Sequence, residues 1–191
     1  DVAGKKLIGM EALLRWESPC LGLICPMEFI PVAEETGLIL EIGNWVMEAA
    51  IKQIIKWNMQ YGTEFCVSIN VSAIQIQNTN FIYNVKTLVS KYRVKPSWLN
   101  FEITESSAMS SIETYQEVLN ELTDLGISVS IDDFGTGYSS YIYLKRASID
   151  YLKIDKQLID MIPTISSDAQ IVNAIISMAQ SLEIKTIAEG V

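Results

Sequence analysis

Five carboxylates close short apolar runs in this chain: Glu11 in LIGMEALLRW, Glu102 in LNFEITE, Asp132 and Asp133 in ISVSIDDFG, and Glu189 in IKTIAEG. An ionised acid beside an apolar core loses its hydration unless it is paired or metal-bound. These positions therefore point to chemistry. Asn70 in FCVSINVS adds a neutral carbonyl ligand. Lys153 in YLKID places an ammonium between apolar residues, which is unfavourable unless anions surround it. Oxygen-only ligand sets prefer magnesium or manganese over zinc or copper. Two such ions a few ångströms apart can activate water and neutralise a phosphodiester oxygen.

Each residue also has a plainer reading. Adjacent acids before a Gly-flanked turn can cap the next helix, and Asn70 can be a turn former. Lys153 can snorkel outward along a helix. Glu11 and Arg15 in EALLRW offer either an inward acid with a phosphate-binding guanidinium or a structural ion pair. Glu189 can be a helix N-terminal acid. Independent accidents would not place acids at four or five successive strand ends, so the metal reading is preferred.

The 191 residues contain no histidine, which removes the usual general base and every Ser-His or Cys-His arrangement. Hydrolysis by this chain must use carboxylates, lysine and metal. Cys20, Cys25 and Cys66 are odd in number and lack C-x-x-C spacing, so reduced, structurally minor thiols are expected. The net charge of −9 disfavours loose binding to nucleic acid or an anionic membrane. No apolar run reaches the roughly 20 residues that span a bilayer, and the N-terminus has no signal-peptide pattern. The chain reads as one soluble, cytoplasmic domain. The Asn70 NVS triplet matches a glycosylation sequon, irrelevant in that compartment.

The elements that must position these residues alternate along the chain. Helical spacing runs from about Asn44 to Tyr61 with Gly62 as a stop, near Phe81 to Tyr92, near Ile112 to Leu125, near Ser139 to Lys145, and near Ala169 to Leu182. Strand-like runs lie at Phe65 to Asn70, Leu99 to Ile103, Ile127 to Asp132, Tyr151 to Ile154 and around Lys185 to Ala188. With the run around Glu11, six strands are countable. Ser18 to Gly37, with three prolines, reads as an ordered loop and short helix. Serial βα order implies a parallel sheet. A doubly wound sheet gathers its chemistry at one switch point, whereas candidate residues here close almost every strand, as a barrel requires. The expected class is α/β with a (β/α)8 barrel, although the chain is shorter than the typical barrel of about 250 residues.

In IDDFGTGYSS, neighbouring strand residues face opposite ways, so Asp132 and Asp133 can share a site only where the strand is ending. Gly135 and Gly137 could cradle a phosphate, but two acids directly before them would repel it, which rejects a dinucleotide fingerprint. In LNFEITES, Glu102 and Thr104 share one strand face while Glu105 falls beyond, so one glutamate can enter the site and the other can brace a loop; an ordinary surface strand is the plainer reading.

The ordered set EALLRW, PMEFIPVAEETGLI, SINVSAIQ, FEITES, IDDFGTGYSSYIYLKR, YLKIDK and TIAEGV closely resembles the EAL domain family, bacterial phosphodiesterases that open cyclic di-GMP to linear pGpG. The resemblance covers residues 1–191 as one EAL-type phosphodiesterase domain. It implies a (β/α)8 TIM-type barrel and a two-metal site for Mg²⁺ or Mn²⁺. One ion would be held by Glu11, Asn70, Glu102 and Asp132, the second by Asp132, Asp133 and Glu189. Lys153 would sit beside the water nucleophile, and Glu189 and Glu105 would complete the catalytic set. Glu105 would anchor the loop from Asp133 to Ser140, which in the family couples the metal site to a dimer interface. Arg15 and Asp155 would contact substrate.

The implied partners are cyclic di-GMP, a second copy of the chain, and flanking sensory or GGDEF-type domains in a parent protein. No nucleic acid polymer and no direct membrane contact are implied, and the location is the cytoplasm, or the cytoplasmic part of a membrane-bound parent. The family's first strand, with a Tyr-Gln-Pro pattern, would precede Asp1, and its last, with a Gln-Gly pattern, would follow Val191. The chain is therefore expected to be truncated at both ends, lacking the first and last strands, with two unpaired edges. A glutamine near the metal site would be lost with the last strand. Two other classes stay open: a non-catalytic cyclic di-GMP receptor and an inactive fragment.

Overall fold

The structure is a computed structural model and describes residues 1–109, 112–135, 144–145, 148–162 and 166–191. The chain divides into two compact units, Asp1–Asn100 and Phe101–Val191.

The first unit is organised by one long helix. Strand β1 (Gly9–Ala12) is followed by a hairpin of β2 (Trp16–Ser18) and β3 (Gly22–Ile24), then by α1 (Pro26–Glu35), α2 (Ile39–Tyr61), β4 (Cys66–Asn70), α3 (Ala73–Gln77) and α4 (Phe81–Tyr92). On α2, Ile39, Gly43, Met47, Ala50, Ile51, Ile54 and Asn58 form the buried stripe, recurring every three or four residues. Gly62, at φ 63°, ends the helix in the left-handed conformation and donates its N–H to Asn58 O. The Asn58 side chain then fastens the turn to the sheet: Nδ2 donates to Phe65 O at 2.9 Å and Oδ1 accepts from Phe65 N at 2.8 Å. β1 lies parallel to β4, with Glu11 opposite Ser68 and Ala12 opposite Ile69.

Two expectations change here. Residues 18–37 hold the expected helix as the ten-residue α1, but part of the expected loop is strand β3, which pairs antiparallel with β2. Trp16 packs edge-on to Phe29 of α1 at 5.6 Å between ring centroids, which gives that hairpin its support. Helix α2 begins at Ile39, five residues before Asn44, because Gly43 is a buried contact position and not a break.

β5 (Leu99–Thr104) crosses the boundary between the units. The second unit continues with α5 (Glu105–Met109), α6 (Ile112–Asp124), β6 (Ser128–Phe134), β7 (Tyr151–Ile154), α7 (Lys156–Met161), α8 (Ser166–Ser181) and β8 (Lys185–Ala188). β6, β7 and β8 form parallel ladders. Their apolar face is carried by Val129, Ile131, Leu152 and Ile154, all essentially inaccessible to water. The alternate positions on β6 and β7 are polar and also buried, namely Ser130, Asp132 and Lys153, as is Glu102 on β5. Strands buried on both faces are a property of parallel sheets covered on both sides. The helix expected from Ser139 to Lys145 lies outside the described residues except for Leu144 and Lys145, which are helical.

The six-stranded sheet runs β1-β4-β5-β6-β7-β8, in chain order throughout. A doubly wound sheet would reverse its order at a switch point; this one does not. The fold is α/β of the TIM-barrel type with six strands, two fewer than a closed eight-stranded barrel. Among the described residues, no helix is long and apolar enough to cross a membrane, and none of the three cysteines is in a disulfide.

Candidate metal centre

The side chains of the second unit that close its strands meet around one ammonium. Lys153 Nζ lies 2.7 Å from Glu102 Oε2, 3.0 Å from Asp132 Oδ1 and 2.8 Å from Glu189 Oε1. Strand parity explains the meeting. Lys153 faces away from Leu152 and Ile154, and its ladder partner on β8 is Ile187, two residues before Glu189. Glu189 is held by its own N–H, which donates to Ile154 O at 3.2 Å. Lys153 is 5% exposed and Glu102 is 2% exposed, so this cluster sits in a low-dielectric setting. Burial alone would push the ammonium's pKa down, but hydrogen bonds to Glu102 and Glu189, with the charges of Glu102 and Asp132, carry it above the ordinary lysine value. Lys153 is therefore a fixed cation at neutral pH.

Asp132 and Asp133 share this region through a break in the strand. The β6–β7 register shifts between Ile131 and Phe134, and Asp133 adopts φ 54°, a left-handed conformation. The second acid is thereby turned out of strand alternation, and its N–H donates to Asp132 Oδ1 at 3.0 Å. One carboxylate oxygen each from Asp132, Asp133 and Glu189 lie within 4.8 Å of one another. Three hard anionic oxygens so placed fit a divalent ion of the magnesium or manganese type.

Glu105 opens α5 and is 1% exposed, with Oε2 accepting from Gly135 N at 2.9 Å, so it braces the chain just after the two acids. Gly135 adopts φ 103°, a conformation that strains any side chain, and a Cβ there would stand 2.4 Å from Leu158 Cδ1, which would have to shift. Asp155 caps α7, with Oδ1 accepting from Gln157 N at 2.8 Å.

In the first unit, Glu11 and Asn70 are joined at adjacent strand ends, Asn70 Nδ2 donating to Glu11 Oε1 at 2.7 Å. Arg15 is exposed, with Nη1 donating to Leu14 O at 2.8 Å. Glu11 and Arg15 line a cavity of about 410 Å³ together with Trp45 and Trp57.

The motif set and the strand-end geometry meet in one comparison: the EAL domain family model matches residues 1–191. The chain belongs to the EAL domain family. Among EAL relatives, MucR of Pseudomonas aeruginosa, a bifunctional diguanylate cyclase/cyclic di-GMP phosphodiesterase, is 43% identical over 185 residues, covering 97% of this chain and 27% of that protein. The cyclic di-GMP phosphodiesterase PdeR of Escherichia coli is 37% identical over 182 residues, covering 95% of this chain and 27% of that protein. The solved PaMucR phosphodiesterase in complex with c-di-GMP superposes with a TM-score of 0.92 at 43% identity, covering 96% of this chain and 74% of that one. The chain thus spans about a quarter of the length of these curated EAL relatives.

The sequence did not reveal that Lys153 has three carboxylate partners at once, since its burial follows from strand parity across three strands. It also did not reveal the cap at Asp155, although an Asp directly before a helix is a readable capping signal.

Proposed function

We propose that this EAL domain hydrolyses one phosphodiester bond of cyclic di-GMP, giving linear pGpG, with Mg²⁺ or Mn²⁺ held by its strand-end oxygens. The observation that carries this reading is the convergence of Asp132, Asp133 and Glu189 within ligand distance beside the buried Lys153. The names of MucR and PdeR and the ligand of the PaMucR structure support the substrate. The bound ions supply Lewis-acid polarisation of a phosphate oxygen and a water acidic enough to attack at neutral pH.

The chain's own residues have distinct tasks. Asp132, Asp133 and Glu189 bind one ion, and Glu11, Asn70 and Glu102 are proposed as ligands with Asp132 for another; Glu11 and Asn70 likewise stand at strand ends of their own unit. Lys153, a permanent cation, orients the attacking water and offsets charge on the phosphate. Glu105 keeps the segment around Gly135 in place. Arg15 reaches a substrate phosphate, and Asp155 offers substrate the oxygen not used in its cap. The domain works as a homodimer in the cytoplasm, beside sensory or GGDEF-type domains of a larger protein.

The test is incubation of the parent protein with cyclic di-GMP and Mn²⁺, reading pGpG by chromatography. Turnover should require metal and vanish in Glu11→Ala and Lys153→Ala. Tight binding with intact ligand recovered would instead identify a receptor, and failure to bind either metal or nucleotide an inactive fragment.

A further inference from the structure

The oxygens best placed for a metal already hold a cation of the protein's own. Asp132 Oδ1 and Glu189 Oε1, two of the three residues in the compact ligand set, both lie within 3.0 Å of Lys153 Nζ. Resting on the metal-centre reading above, we propose that Lys153 sets the affinity and charge selectivity of this centre by competing with the divalent ion for Asp132 and Glu189.

Glu102, Asp132 and Glu189 contact the one ammonium and Asp133 shares their region, so these four carboxylates outnumber Lys153 by three negative charges. A divalent ion offsets two of these charges; a monovalent ion offsets one. The ammonium also repels any arriving cation, and the repulsion on a divalent ion is twice that on a monovalent one. The divalent ion nonetheless wins, because its attraction to the acids is doubled as well and it gains direct coordination from Asp133, which is turned toward the same point by its left-handed backbone. Glu102 Oε2, the shortest Lys153 contact at 2.7 Å, lies outside the Asp132–Asp133–Glu189 set. It retains the ammonium when the other two acids turn to metal. Lys153 thus keeps the acids gathered before metal arrives and tempers how tightly they hold it afterwards.

The decisive measurement is Mn²⁺ binding by calorimetry to the wild-type chain, Lys153→Met, Lys153→Arg and Asp132→Ala. Removing a unit charge about 4 Å from a divalent ion strengthens binding about 30-fold even at the dielectric constant of water, so Lys153→Met should bind Mn²⁺ at least tenfold more tightly. Equal or weaker binding in Lys153→Met, with wild-type binding abolished by Asp132→Ala, would overturn the competition while leaving the metal centre standing. No wild-type binding, or binding indifferent to Asp132→Ala, would overturn both. Lys153→Arg retains the charge and decides the matter should Lys153→Met not fold: it should bind Mn²⁺ no more tightly than wild type, and tighter binding sinks the proposal.

Discussion

A glycine inside a helix normally weakens it, so Gly43→Ala would ordinarily stabilise the chain by about 1 kcal/mol. The contacts of Gly43 predict the opposite. A Cβ on Gly43 would lie 1.9 Å from Gln75 Nε2, 2.6 Å from its Cδ and 3.0 Å from its Oε1. Gln75 is only 4% exposed and is not free to swing aside. Its Oε1 accepts from Ser72 N at 3.2 Å, while its own N–H donates to Ser72 Oγ at 3.4 Å, a reciprocal capping box at the start of α3. Displacing it forfeits a cap of about 1 kcal/mol and adds overpacking of about 1–3 kcal/mol. Against the gain in helix propensity, Gly43→Ala should cost about 1–3 kcal/mol. Once Gln75→Ala has opened the space, the same change should stabilise by up to about 1 kcal/mol. Urea unfolding of the two single variants and the double variant would measure a coupling of about 2–4 kcal/mol. If Gly43→Ala has the same sign in both backgrounds, the close approach is not what places glycine there. The site has a stake in this contact, because Ser72 lies two residues after Asn70, and a displaced α3 pulls on the strand end that presents it.

Asp133 offers a separation of backbone from ligand: Asp133→Gly and Asp133→Ala both remove the carboxylate, but only alanine is strained at φ 54°. The alanine variant should be less stable than the glycine variant by about 1 kcal/mol, while both lose at least tenfold in Mn²⁺ affinity; equal melting temperatures, or undiminished metal binding, would contradict this. Glu48 on α2 predicts an acid limb. A hydrogen bond from Tyr92, with Lys52 and Lys91 alongside, lowers its pKa from 4.5 to about 2. Because the folded value is depressed, its stabilisation is complete above about pH 4.5 and disappears as pH falls through about 2. The difference in melting temperature between wild type and Glu48→Gln should accordingly shrink across that window, and a constant difference would refute the linkage.

The centre was legible because its residues violate the rules of their neighbours. Asp132, Glu102 and Lys153 sit in apolar runs where charge is costly, and each proves to be compensated by the others. The strand-end condition for the paired acids took the concrete form of a bulge with a left-handed Asp133. What stayed hidden depended on neighbours distant in sequence. The start of α2 at Ile39, ahead of the expected Asn44, passes through Gly43, whose contact, Gln75, lies in another helix. The three-residue strands of the hairpin are too short for alternation to register, and their support is the Trp16–Phe29 contact. The cation balance of the centre belongs to this second kind. Period-two alternation puts Lys153 on a face, but only the meeting of β5, β6 and the end of β8 around β7 makes one ammonium answer Glu102, Asp132 and Glu189, and these acids together with Asp133 outnumber the ammonium by enough to admit a doubly charged ion.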